Sequence, residues 1–525
     1  VLPRRLTSAE WLFLAAVVSF FAIFVVSRGE DRAWDFRNYH WYIPYAFLNG
    51  RMDRDIAVAH QATYYNPFLD IPFYYLATHF RAAIALAILG LAQGAVFVPL
   101  YLIARSIFIV PQPRLAAAIV TLTAMTGSLT LYLAGTTYYD NVMGGIVLGG
   151  LALVVTNRKR LAAGAPWQGA SIAALGGLLA GSAVGLKLPE APFALGFAAA
   201  LAVLPGDLAR RLSRLAAGGL GGIAGVALFA GYWFARMATL TGNPLFPYFN
   251  QYFHSPLALT ASYRDMRFIP AHFTTQILYP ILFSIDWRVS DDLPFHDVRV
   301  GLAYLLILAA LPLAFVVRKD RTRLVDGDGA LALLVFAAVS YLAWLRVFGI
   351  YRYILLLEII APLLVALCVA FWPLSARTRL TSCGVLFVVI LVLTRAELPE
   401  RAPLSEPYIQ VTLPPIARPG QTMILMTGET PMGYLAPAFP AEIPVVRIDG
   451  WMIRPTDGSR LTARARARVG AFTGDLYVVF HQVEAMRNRD ALKSYGLAIR
   501  ADACRNIVTN LGGAYEFCPV ERIKA

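Results

Sequence analysis

Charge is what this sequence has least of. Of 525 residues only 15% are Asp, Glu, Lys or Arg, while 58% belong to the apolar set AVILMFWYC. A water-soluble chain carries about 25% charged residues, so this one cannot cover itself with polar groups and belongs in a membrane. The same figures exclude a disordered chain and a collagen, and four cysteines exclude a disulfide scaffold. No P-loop, GxGxxG turn, HExxH or CxxC pair is present, nor any fixed-period repeat or low-complexity tract. Acids are outnumbered, 32 against 46 Lys plus Arg, for a net charge of +14. The bases fall in short gaps between apolar runs, the pattern of loops on the inner side of a membrane. Nucleic acid is therefore not an expected partner. Arginine far exceeds lysine, which points to a GC-rich bacterial source.

What is abundant is apolar run. A bilayer needs about 20 such residues per helix. Runs at 11–26, 82–104, 115–134, 142–155, 169–186, 191–204, 215–235, 300–317, 330–345, 354–372 and 380–394 predict about eleven spans. Ser27-Arg28-Gly29-Glu30-Asp31 follows the first run without a small-residue cleavage site, so an uncleaved anchor is expected. With the N-terminus in the cytoplasm, the short inner loops hold sixteen bases: Arg4, Arg5, Arg105, Arg114, Arg158, Lys159, Arg160, Arg210, Arg211, Arg214, Arg318, Lys319, Arg321, Arg323, Arg377 and Arg379. The five acids there are Glu10, Asp207, Asp320, Asp326 and Asp328. That bias orients the chain, and an odd number of spans puts the C-terminal part outside, in the periplasm or beyond. The expected location is the bacterial inner membrane, multi-pass, in contact with membrane lipids.

The expected organisation is a transmembrane domain at 1–395, with large outer loops at 27–81 and 236–299, and a soluble α/β domain at 396–525. In that last part 422–426, 445–448 and 476–480 read as strands, and 459–469, 484–495 and 502–511 as helices. Cys368 and Cys383 fall in spans. Cys504 and Cys518, outside, have the spacing and compartment for a disulfide, or are two buried thiols.

Ionisable groups at membrane depth or at the outer mouth are costly to keep and are the first place to look for chemistry. Asp35, in Trp34-Asp35-Phe36-Arg37-Asn38-Tyr39-His40-Trp41, follows the first span. A carboxylate held against apolar surface gains basicity and serves as a general base; the plainer reading is a helix N-cap. Tyr39 and His40 are either substrate contacts or interface aromatics. Asp140, in the turn after the third span, is a second acid or again a cap. Lys187, in Lys187-Leu188-Pro189-Glu190, can hold a lipid phosphate or pair with Glu190. Arg346 and the Tyr351-Arg352-Tyr353 stretch offer arginine to a phosphate, or anchor the helix at the interface. Asp286, Arg288, Asp291, Asp292, His296 and Asp297 crowd the second outer loop; they are mostly solvated in the plain reading, and a divalent cation is the other. Asp31, in a charged stretch, is expected to be solvated.

The layout resembles the GT-C superfamily of integral-membrane glycosyltransferases. The shared features are an acid after the first span, an acid in the next outer turn, a Lys between the fifth and sixth spans and a soluble outer tail. Gly242-Asn243-Pro244-Leu245-Phe246-Pro247-Tyr248-Phe249-Asn250 looks like the GNPxFPxxN stretch of bacterial members. The Asp35 stretch, running on to Leu48-Asn49-Gly50-Arg51, looks like the opening of the polyprenol-phosphate-mannose-using branch. The resemblance implies an α-helical polytopic fold. It also implies transfer of a sugar, with inversion, from a polyprenyl-phosphate donor to a glycan, lipid or protein acceptor on the outer face. The family's first-loop acid falls on Asp35. Family members often carry two adjacent acids there, whereas Phe36 follows Asp35; Asp140 is the candidate for the second. Metal use varies in the family, so no fixed cofactor is implied and a divalent cation stays open. Two other classes fit many spans: a glycan polymerase or ligase, and a lipid or solute transporter. The transporter is disfavoured by the lack of repeats and of mid-membrane charges.

Overall fold

The computed structural model describes residues 5–316 and 323–523. Arg4, Arg318, Lys319, Asp320, Arg321 and the last residue of the eighth expected span lie outside the described residues. The bundle is built from α1 (Ser8–Arg28), α2 (Ala82–Gly94), α3 (Phe97–Ile107), α4 (Pro113–Met125), α5 (Asp140–Thr156), α6 (Pro166–Leu186), α7 (Ala191–Val203) and α8 (Leu208–Thr241). It continues with α9 (Phe273–Ile285), α10 (Arg299–Val316), α11 (Gly327–Val347), α12 (Leu355–Ala370) and α13 (Ala376–Leu393). Among the described residues seven helical stretches are long and apolar enough to cross a bilayer, and five shorter apolar helices accompany them. Each of the eleven expected runs falls largely on helix. The apolar α9 lies within the expected outer loop 236–299 and keeps Phe273, Ile277, Leu278 and Ile285 exposed.

Helix ends follow local chemistry. A capping box of Thr7 and Glu10 starts α1, and Gly29, at φ 90°, ends it. Asp207 caps the start of α8 and Gly242, in the left-handed region, ends it. At about 1.5 Å per residue the 34 residues of α8 run roughly 51 Å, well past the bilayer core of about 30 Å. Glycines bring α6 and α8 together backbone to backbone. A methyl group on Gly177, Gly181, Gly221 or Gly225 would collide with main-chain atoms of the facing helix. That contact fixes the end of α6, where Lys187 stands.

The C-terminal part holds a seven-stranded mixed sheet. Its strands are β1 (Val411–Thr412), β2 (Thr422–Met426), β3 (Val445–Arg447), β4 (Asp475–His481), β5 (Leu497–Ile499), β6 (Arg505–Thr509) and β7 (Tyr515–Arg522). The order is β1-β6-β7-β4-β2-β3, with β5 also on β7. Only β2 with its two neighbours is parallel. Helices α14 (Arg460–Ala471) and α15 (Ala485–Lys493) occupy two of the expected helical segments. The third, 502–511, is corrected: it forms β6, antiparallel to β7, because Ile507 and Val508 are β-formers with a partner strand, and the Cys504–Cys518 disulfide ties the two strands.

The tail and the long loop after α1 are built together. Ile56 bridges to β3, its N–H donating to Val445 O at 3.0 Å and its carbonyl accepting from Arg447 N–H at 2.9 Å. Glu30 and Ala402 exchange two backbone hydrogen bonds. Arg51 and Asp55 form a buried pair, and Asp55 also accepts from Val445 N–H and the Tyr42 hydroxyl. One hydrophobic cluster runs from Leu14 and Phe21 of α1 through Tyr408 to Tyr515 and Phe517 of the sheet.

Candidate active site

Asp35 stands at the head of a single π-helical turn, Phe36–His40. Such turns bring residues four and five apart onto one face and recur at functional sites. Asp35 has αR backbone and makes no capping hydrogen bond, so it is not an N-cap. Its Oδ2 instead accepts from the Tyr39 hydroxyl at 3.1 Å and from Arg352 Nη1 at 3.3 Å. His40, next on the turn, is bonded through Nδ1 to Asp70 Oδ1 at 2.6 Å. Its Nε2 has no partner among the described residues. Burial raises the Asp70 carboxyl above the ordinary range, and His40 opposes the shift.

Asp140 is the first residue of α5 and also caps nothing. It is buried and forms an ion pair with Lys187, whose Nζ also donates to Tyr138 O at 2.8 Å. The pairing of Lys187 is thus with Asp140, not Glu190. Asp140 Oδ2 keeps no partner among the described residues. Tyr138 and Tyr353 join the two cations into one cluster. Arg352 lies 4.1 Å over the Tyr138 ring and 5.2 Å over Tyr353; Lys187 lies 5.7 Å over Tyr353. The Arg352 N–H donates to Asp291 Oδ2 at 2.7 Å, and burial pushes that carboxyl up to about 6. Arg352 Nε has no partner among the described residues.

The structure therefore brings Asp35, Tyr39, His40, Asp140, Lys187 and Arg352 to one end of the bundle. Arg346, in the last turn of α11, is exposed and takes no part in this network. The second-loop cluster is dispersed. Asp286 caps a short turn, Asp292 pairs with Arg267, His296 with Glu397, and Asp297 with buried Arg299. Among the described residues these side chains form no group of three ligand atoms close enough to share a metal ion. Asp31 is a correction: it is 1% exposed, not solvated. Its Oδ1 accepts from Ala33 N–H and Arg401, and its Oδ2 from the N–H and hydroxyl of Thr137.

The GNPLFPYFN stretch is a wound turn. Asn243 accepts from Leu245 N–H and donates to Tyr248 O at 2.9 Å, and Asn250 donates to the carbonyls of Ser255, Ala258 and Leu259. The turn presents Tyr248 to Tyr65, hydroxyl to hydroxyl, and Tyr65 packs edge-on against Tyr39. Asp70 escaped the sequence reading, while Asp291 was named there only as one of the second-loop cluster and Tyr248 only within the GNPLFPYFN stretch. Asp70 had a signal in Asn66-Pro67-Phe68-Leu69-Asp70, an acid inside an aromatic interface segment.

Helices of these lengths, the acid-bearing loop after α1 and the sheet-bearing tail together make a polytopic helical membrane fold. The solved structure of ArnT from Cupriavidus metallidurans bound to undecaprenyl phosphate has this architecture. It superposes with a TM-score of 0.53 over 97% of this chain and 98% of that one, at 14% identity. No family model and no curated protein matches the chain.

Proposed function

We propose that the chain is a membrane glycosyltransferase that moves a sugar from a polyprenyl-phosphate donor to a glycan, lipid or protein acceptor, inverting the anomeric centre. The observation that carries this reading is the meeting of Lys187 and Arg352, each paired with its own acid, around Tyr138 and Tyr353. The common fold with ArnT, solved with undecaprenyl phosphate, supports it. Residues 1–395 are the catalytic bundle in this reading and 396–525 the outer domain. The membrane is the bacterial inner membrane, the N-terminus cytoplasmic.

Lys187 and Arg352 hold the donor phosphate, with Arg352 Nε as a donor not used within the protein. Asp35 takes the proton of the acceptor hydroxyl. That oxygen bonds to the anomeric carbon from the face opposite the phosphate, while the sugar–phosphate C–O bond breaks and its electron pair leaves on the phosphate. The two cations offset the charge that develops there. Tyr39 keeps the Asp35 carboxylate oriented.

The test is transfer from a radiolabelled polyprenyl-phosphate sugar with Lys187→Met and Arg352→Met, which keep an apolar stem and remove the charge. Both should lose about tenfold or more in donor use per folded molecule. Normal turnover in both would overturn the donor site. Reporter fusions after Arg160 and after Ala525 should report opposite sides of the membrane.

A further inference from the structure

α14 carries two stripes. Leu461, Ala465 and Val469 recur every fourth residue and are buried. Arg460, Arg464 and Arg468 recur at the same spacing one residue earlier, about 100° around the helix. Arg460 and Arg464 are exposed and Arg468 half-buried. Like charges four apart on a helix destabilise it, and among the described residues no carboxylate pairs with these. The ion pairs made within the sheet and its helices use Arg418, Arg487 and Lys493. Arg460, Arg464, Arg468 and the exposed Arg54 of the first outer loop have no carboxylate partner among the described residues. Arg54 donates only to Ala441 O, at 2.7 Å. Burial lowers the pKa of Arg468, and the nearby Arg464, Arg51 and Arg54 lower it further, with Asp55 opposing. The stripe is a concentration of positive charge that buried Asp55, itself paired with Arg51, only partly offsets.

Its position says what covers it. Leu461, Ala465 and Val469 pack into the same cluster as Phe246, with Tyr64 against it, and Tyr64 meets Phe246 edge-on at 5.0 Å. The Tyr64 carbonyl accepts from Trp233 Nε1 at 3.0 Å. Trp233 stands roughly 38 Å along α8 from Leu208, just beyond a bilayer core of about 30 Å. Tyr232 beside it is 54% exposed, as interface aromatics are. The Arg464 charge acts on the Tyr64 hydroxyl, opposing the rise that burial gives it. The stripe therefore lies at the headgroup level of the leaflet nearest the tail.

We propose that Arg460, Arg464 and Arg468, with Arg54 beside them, form a docking surface for anionic phospholipid headgroups, seating the tail on the bilayer. Basic residues on an amphipathic helix at a membrane surface bind anionic lipid in this way. The contact stands apart from the transfer reaction and is read without it.

The test uses the full chain in nanodiscs of phosphatidylcholine alone or with about one third phosphatidylglycerol, followed by hydrogen exchange of residues 459–471. Exchange should slow about fivefold or more with the anionic lipid, and the difference should vanish in about 0.5 M salt. The triple variant Arg460→Gln, Arg464→Gln and Arg468→Gln keeps helix propensity. It should exchange like the parent in phosphatidylcholine and show no slowing with phosphatidylglycerol. Arg464→Gln alone, expected to halve the effect, serves if the triple variant misfolds. Equal exchange of the parent in both lipids overturns the proposal. So does an undiminished difference in the variants. The same slowing from inorganic phosphate in phosphatidylcholine also overturns it, because that marks a small-anion site.

Discussion

Two acid clusters share one stretch of backbone between the first helix and the π-turn, and they are built in opposite ways. Glu30 and Asp31 are buried and saturated. Glu30 accepts from the Ser405 N–H and hydroxyl and from Asn510, and Asp31 from Ala33, Thr137 and Arg401. Four residues on, Asp35 is part-exposed, bonded through one oxygen only, and stands among groups with spare capacity: His40 Nε2, Asp140 Oδ2 and Arg352 Nε. A buried acid with every lone pair spoken for ties elements together. An acid with a free oxygen beside unpartnered donors is poised to meet something else. Glu30 and Asp31 join the tail to the bundle, and Asp35 is the acid to which the proposed mechanism gives the acceptor proton.

Substitution of each acid by its amide tests that contrast. Asp35→Asn should fold and insert normally and lose about 10² to 10⁴ in transfer rate, the range of general-base catalysis. Retention of near-normal transfer would remove Asp35 as the base. Asp31→Asn should do the reverse. One oxygen becomes an NH₂ that must face donors, either Thr137 N–H and hydroxyl or Ala33 N–H and Arg401, and the Arg401 charge loses its partner. Breaking such a buried pair costs about 3–5 kcal/mol. Thermal unfolding in detergent should show a large loss, and whatever protein remains folded should transfer sugar at the parent rate. An Asp31→Asn protein of parent stability without activity would exchange the two roles.

The difference between these acids was invisible in the sequence for a definite reason. The Thr137 and Arg401 partners of Asp31 lie 106 and 370 residues away. Local composition therefore described a charged, solvated stretch. Asp70, 30 residues from His40, escaped in the same way. What hydropathy and local pattern control was legible: the helical runs, strand β2, helix α14 and the pairing of Cys504 with Cys518. Lys187 and Asp140 were legible as site candidates because charge at a span end is costly, but their bond to each other depends on how closely α6 packs on its neighbours. The 502–511 segment failed because its state is decided by a strand partner, β7, and not by its own period. The union of tail and first loop depends on the buried Arg51–Asp55 pair and the Ile56 bridge, neither of which leaves a mark in composition.

The smallest effect sharpens the comparison through pH. Burial pushes the Glu30 carboxyl up to about 7, with the Glu406 charge adding and the Ser405 and Asn510 bonds opposing. The folded pKa is thus above the unfolded value of about 4.5, so the folded seam binds the proton more tightly than the unfolded chain. The seam is most stable below about pH 4.5, weakens as pH rises from there to about 7, and is level above. The loss is on the order of 3 kcal/mol, since the rise is from 4.5 to about 7 and one pKa unit is about 1.4 kcal/mol. Hydrogen exchange at Ser405 and Asn510, corrected for the intrinsic rate, should show weaker protection at pH 8 than at pH 5. Glu30→Gln should flatten that dependence, because a neutral amide carries no proton to lose. Protection that stays level from pH 5 to pH 8 in the parent would mean that Glu30 is already ionised in the seam, and that the two clusters differ in geometry but not in charge.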